Sequence, residues 1–182
     1  MRLHPITLCV MLLVSTLSHA TVSLAGDAPA KAHRTLQPDA HDIARNKAVA
    51  RRVYEEGLSQ GKFEVPYTDG FVGHGGATTF THADGMAEAK GWRSAFPDLN
   101  VSVDLIIAEG DLVSVRWTAR GTNTGSGNGL PATGKRVEVN GTTIFRFVDG
   151  AIAEEWTAGN SLSLLRQLGL MPPLATGAAK TR

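Results

Sequence analysis

The sequence predicts an α+β domain. Helical apolar periodicity is confined to the first part of the chain, and long runs of alternating apolar residues fill the second. Such strands, curved and closed by the preceding helices, would enclose a cavity whose apolar inner positions suit a small hydrophobic molecule. The chain has 182 residues, 42% of them apolar, 6% aromatic and 19% charged, which fits one domain rather than two. Lys and Arg number 18 against 17 Asp and Glu, a net charge of +1, so neither nucleic acid nor an anionic membrane has an electrostatic hold on it.

The chain opens as an address. Arg2 precedes the apolar run Ile6–Val14, which is shorter than the roughly 20 residues that span a bilayer. Ser18-His19-Ala20 and Ser23-Leu24-Ala25 both carry the small residues a secretory cleavage site requires. Cleavage after Ala20 is favoured, with Ala25 the alternative. The expected product is exported, to a periplasm or the exterior, with no membrane partner once the signal is removed. The single cysteine, Cys9, lies in this segment, so the mature chain has no disulfide and no thiolate metal site. Residues 1–20 are thus read as signal peptide, 21–41 as a flexible leader, 42–171 as the domain and 172–182 as a disordered tail.

The first helix is expected from Ile43, capped by Asp42, with Ile43, Ala50, Val53, Tyr54 and Leu58 on one face. Arg51–Glu55 and Arg52–Glu56 are spaced as surface ion pairs. Gly57 and Gly61 bracket its end, and Phe63–Tyr67 is read as a helical turn. Phe71–His74 reads as a short strand broken by Gly73, Gly75 and Gly76. Asp84–Ala95 is a second helix with Met86, Ala89 and Trp92 at helical spacing, ended by Pro97 through its effect on Phe96.

Three strands follow. Val101, Val103, Leu105 and Ile107 alternate, then Val113, Val115, Trp117 and Ala119. After the loop Gly121–Gly134 come Val137, Val139, Thr143, Phe145 and Phe147, with a bulge expected at Asn140-Gly141. Asp149-Gly150 turns the chain into Ala151–Ala158, and Ser161–Leu168 is a last short helix.

Several chemical signals fail on inspection. Gly129-Leu130-Pro131-Ala132-Thr133-Gly134-Lys135 matches most of a phosphate-cradling loop, but Arg136 replaces the hydroxyl residue that would hold Mg²⁺ and a strand follows instead of a helix. His33, His41, His74 and His82 lack zinc-site spacing, so no metal is expected. No nucleophile elbow is present.

Seven stretches in order resemble the SnoaL-like polyketide cyclases, also called the ester cyclase family. They are Asn46–Glu56, Phe71–Gly75, Trp92–Leu99, Ala108–Gly125, Leu130–Glu138, Phe145–Trp156 and Leu164–Gly169. The resemblance implies a cone-shaped sheet of the nuclear-transport-factor-2-like superfamily wrapped on N-terminal helices, usually as a homodimer. It also implies cofactor-free and metal-free ring closure by an intramolecular aldol reaction, run by a carboxylate in the apolar pocket. In the family pattern that acid follows the position of Trp156, where this chain has Thr157. A second acid three residues on is Asn160, and a pocket histidine of the antibiotic cyclases falls at Thr143. Neither Thr nor Asn takes up a proton at ordinary pH.

A replacement base depends on hairpin register. A three-residue loop Val148-Asp149-Gly150 pairs Phe147 with Ala151, Phe145 with Ala153 and Thr143 with Glu155, placing Glu155 and Thr157 inside. A two-residue loop slips the pairing by one and brings in Glu154 and Trp156. The family pattern favours the first. Burial would then lift the Glu155 pKa towards that of a useful base. His74, near the mouth, has an unperturbed pKa of about 6.5. The catalytic candidates are therefore His74 and Glu155. Tyr54, Trp92, Trp117, Thr143, Phe145, Thr157 and Asn160 are candidates for substrate binding. The expected activity is a cofactor-independent cyclase or isomerase-type lyase acting on a small hydrophobic carbonyl compound. The alternative is an exported, non-catalytic binder of an apolar metabolite.

Overall fold

The protein is described from a computed structural model that covers residues 39–75 and 78–172. The expected signal peptide and nearly all of the leader and tail lie outside the described residues. Within them the chain forms three α-helices, one π-helical segment and six strands in a single mixed sheet, an α+β arrangement. No described helix is long and apolar enough to cross a membrane.

Helix α1 spans Ala40–Arg52 and begins inside the expected leader. Its cap is Asp39 rather than Asp42: the Asp39 side chain accepts the Asp42 N–H at 2.9 Å, while Asp42 pairs with Arg45. The helix runs on as a π-helical segment, Val53–Leu58, until Gly61 leaves it at φ +74°. The apolar face holds, with Ala50 and Tyr54 buried, and both expected Arg–Glu pairs form. Phe63–Pro66 makes no helical turn.

Strand β1 starts at Tyr67 and runs through Gly73 to Gly75. Gly73 does not break it; a Cβ there would run into the Phe80 ring, so glycine lets β2, Thr78–Phe80, lie close. Helix α2, His82–Ala95, begins two residues before Asp84 because Thr81 and Asp84 form a reciprocal capping box. Phe96 leaves the helix at φ −129°, as Pro97 requires.

Strands β3 (Asn100–Glu109), β4 (Leu112–Thr122), β5 (Arg136–Val148) and β6 (Ala151–Gly159) form an antiparallel run, and β1 joins β6 in parallel. Helix α3, Ser161–Leu168, closes the described chain. The strand order is β2-β1-β6-β5-β4-β3.

Two parity expectations fail in β3 and β5. The β3–β4 register slips between Val103 and Leu105, so Ile106 and Ala108 turn inward while Leu105 and Ile107 stand 56% and 57% exposed. Conversely, Asn140-Gly141 carries no bulge against β4. Gly141 faces inward beneath Trp117, whose ring occupies the space a Cβ would need.

The hairpin decides what β6 presents. Val148 pairs with Ala151 across a two-residue turn in which Asp149 and Gly150 sit at φ 50° and 81°, the primed geometry that matches strand twist. Phe147 then pairs with Ile152, but Arg146 pairs with Glu154: Ala153 is an extra residue. This bulge corrects both expected registers. The turn is the two-residue one, yet Glu155 and Thr157 face inward, opposite Phe145 and Thr143.

The core lies between α1, the π-helical segment and the concave sheet face, built on Tyr54, Phe71, Val113, Val115, Phe145 and Ile152. A second cluster joins α2, α3 and the β4–β5 loop through Phe96, Leu130 and Leu168. That loop is organised by Asn123, which is wholly buried. It donates to the carbonyls of Ala95 and Gly125 and accepts from the N–H and hydroxyl of Thr133. Asn123→Ala removes these four hydrogen bonds from the loop and is expected to lower stability by on the order of 3 kcal/mol, read as a lower urea midpoint with an unchanged slope.

Candidate functional site

A cavity of about 450 Å³ opens on the concave side of the sheet. Tyr54 and Leu58 form one wall, Met86, Ala89 and Trp92 of α2 another, and Trp117, Val139, Glu155 and Thr157 the sheet wall. The π-helical turn widens the helix where Tyr54 and Gly57 meet the cavity; such turns accommodate one extra residue per turn.

Glu155 is the carboxyl group on the sheet wall. It is half-buried and makes no hydrogen bond or ion pair to any described residue. Burial in this apolar surrounding, reinforced by the negative charge of Glu88, raises its pKa to about 7. The Tyr54 phenol is pushed well up by burial, as is that of Tyr67, and both also feel the Glu155 charge.

Thr157 lies on the same face. Its Oγ1 is 2.8 Å from that of Thr143, which accepts from Tyr54 Oη at 2.5 Å and from Trp117 Nε1 at 3.2 Å. Tyr54 stacks on Trp117 with centroids 5.9 Å apart, which fixes both donors over the sheet. Trp92 stands across the cavity on α2, where its Nε1 donates to Glu88 at 3.0 Å. Asn160 borders the cavity and spends its Oδ1 capping α3 through Ser163 N–H.

Three expected roles are not met. Thr143 and Phe145 do not line the cavity: both are 0% exposed, sealed behind Tyr54. His74 does not pair with Glu155. Strand alternation turns Phe71 and Gly73 inward and His74 outward, so only the edge of His74 reaches the mouth. Its ring stacks on Trp156 at 4.9 Å, and its Nε2 lies 3.2 Å from Glu154. Arg146 also pairs with Glu154, and that hydrogen bond holds the Glu154 carboxyl below the ordinary range, helped by the one to His74.

Glu88 and Tyr67 were missed by sequence reasoning. The i,i+4 spacing of Glu88 and Trp92 was a usable signal; nothing local marked Tyr67, which is carried inward by the parallel β1–β6 pairing. Among the described residues the one grouping with metal-ligand spacing is Asp39, His41 and the half-buried Asp42, where Asp39 already caps α1 and Asp42 holds Arg45.

The model of the SnoaL-like polyketide cyclases matches residues 48–168, so the chain belongs to that family. Among solved structures it is similar to AclR from Streptomyces galilaeus, a proposed hydroxylase: 30% identity over 71% of this chain and 99% of that one, TM-score 0.65. IdmH from Streptomyces antibioticus, a proposed polyketide cyclase, is 28% identical over 68% of this chain and 98% of its own, TM-score 0.60. A proposed SnoaL-like polyketide cyclase from Jannaschia Sp. CCS1 shares the fold at 24% identity, covering 75% of this chain and 99% of that one with TM-score 0.66. No curated protein matches.

A raised carboxyl pKa carries a stability consequence of definite sign. Between the ordinary glutamate range and about 7 the folded state binds more protons than the unfolded state, so the Glu155 contribution falls as pH rises. Glu155→Gln is therefore expected to raise the melting temperature at about pH 8, by up to on the order of 3 kcal/mol of stability, and to change little at about pH 5. Thermal unfolding of both proteins at the two pH values checks this.

Proposed function

We propose that the chain catalyses cofactor-free proton transfer on a small hydrophobic carbonyl compound, with Glu155 as the base that becomes the acid. The observation that carries this reading is a carboxyl group without a protein partner, facing an apolar cavity and titrating near 7. A general base works best when its pKa lies near the operating pH.

Ionised Glu155 removes a proton from the carbon next to the carbonyl. The C–H electron pair becomes the enolate, and Glu155 becomes a carboxylic acid. In a cyclisation the enolate carbon then bonds to a second carbonyl carbon of the same molecule, and Glu155 returns its proton to the new alkoxide. In an isomerisation the proton returns to a different carbon. In both cases the protein ends in its starting state, and the step needs no oxidant or metal.

The second reading is an exported binder. Thr157 in the position of the family acid favours it. Deuterium incorporation from heavy water into β-tetralone, followed by NMR, separates the two. Catalysis predicts exchange that rises with pH through about 7 and falls by about 10²-fold or more in Glu155→Gln. Exchange at the buffer rate, with β-tetralone bound, leaves the binder.

The partner we propose is a second copy of the chain, docked on the outer sheet face. Register lines Ile107, Ser114, Ile144, Trp156 and His74 into one cross-strand row over five strands. Leu105, Leu112 and Val72 flank it, and Ile107, Ile144 and Trp156 are 57%, 39% and 37% exposed. Large apolar side chains gathered on an exposed sheet face, here interspersed with Ser114 and His74, favour a protein partner. Ile144→Glu is expected to convert a dimer into a folded monomer of unchanged far-ultraviolet circular dichroism, with its oligomeric state measured by light scattering at micromolar concentration; a monomeric parent protein overturns the proposal.

A further inference from the structure

Beside Glu155 the cavity wall holds a hydrogen-bond chain with a forced direction. A hydroxyl has one proton to give and two lone pairs to accept with, and an indole N–H only donates. The Thr143 oxygen accepts from Trp117 Nε1–H and from the Tyr54 hydroxyl, which takes up both lone pairs. Thr143 has one remaining close oxygen, Thr157 Oγ1 at 2.8 Å, so its own proton goes there. Thr157 is left with a proton and no acceptor among the described residues, on a side chain that borders the cavity. Thr143 is fully buried, so water does not compete for its position. Consecutive hydrogen bonds polarise one another, which strengthens the last donor.

We propose that the Thr157 hydroxyl is the oxygen-recognising donor of the site, held by Thr143, and that it selects enolisable ketones or β-dicarbonyl compounds by binding the oxygen that turns negative in the enolate. This rests on the reading of the cavity as a site for carbonyl compounds. Thr157 and Glu155 are two residues apart on one strand face, roughly 7 Å along the strand. That span fits a carbonyl oxygen on the hydroxyl and its neighbouring carbon at the carboxylate. A prealigned donor is worth more to the enolate than to the neutral ketone, because the charge develops where the donor already points. Thr157 would touch the substrate; Thr143 is a positioning residue, as are the Tyr54 and Trp117 donors behind it.

The test compares binding of methyl β-naphthyl ketone with that of β-isopropenylnaphthalene, a hydrocarbon in which a C=CH2 group replaces the C=O, by titration calorimetry. Thr157→Val should weaken the ketone about five- to tenfold and the hydrocarbon less than about twofold. Thr157→Ser should keep the preference. Thr143→Val should lose part of it and Thr143→Ser should restore it, a pattern that general loosening of the wall does not produce. Equal weakening of both probes, or unchanged ketone binding in Thr157→Val, overturns the proposal. Absence of deuterium exchange in the parent protein, with the ketone preference present, sinks only the proton-transfer reading, and exchange without any ketone preference sinks only this one. If the parent protein binds neither probe, both fall.

Discussion

One extra residue, Ala153, sets the chemistry of the cavity. A strand alternates its side chains, so a single insertion exchanges the inner and outer sets beyond it. Without the bulge, the two-residue turn at Asp149-Gly150 would send Glu154 and Trp156 into the core and expel Glu155 and Thr157. With it, Glu154 meets Arg146 and His74 on the outside, while Glu155 meets apolar walls. Two consecutive glutamates thereby diverge. The outer one is paired and held acidic, and the inner one is unpaired and lifted to about 7.

The same bulge places Thr157 against Thr143. The buried hydroxyl of Thr143 satisfies Tyr54 and Trp117, whose polar atoms would otherwise be stranded beneath the cavity floor. The aromatic wall, the π-helical turn that presents Tyr54 and the small Gly141 beneath Trp117 are thus parts of one packing solution. A carboxylate at position 157 would press a charge against this network. A neutral hydroxyl continues it.

What the sequence made legible follows from local physics. Val113, Val115 and Trp117 alternate inward as their spacing predicts, and Pro97 ends α2 through Phe96. The Thr81–Asp84 capping box was present in the sequence and places the helix start better than apolar periodicity does. The slips at Asp104 and Ala153 were not legible, because bulges are chosen by sheet curvature and by neighbouring strands. Even so, adjacent Ile152 and Ala153, both buried, mark where alternation pauses. Glu155 was recognised as an inner residue, but on pairing partners that the structure replaces: Phe145 rather than Thr143 stands opposite it. The family position puts His74 near the mouth, and strand parity turns its side chain outward there.

A carboxyl group at position 155 rather than 157 keeps the same face of β6 and meets different surroundings. Both residues point into the cavity, but 157 lies within the exposed stretch Trp156–Asn160, whereas 155 is half-buried. A carboxyl at the more exposed position is better solvated and stays ionised at lower pH; the same group deeper in loses hydration and rises towards neutrality. Glu88, on the facing helix, adds a like charge that pushes in the same direction. The vacated position then need not carry a proton donor and acceptor in one group. In the proposed reaction a base at 155 and a fixed hydroxyl at 157 would divide between them the work that the family pattern gives to one carboxylate.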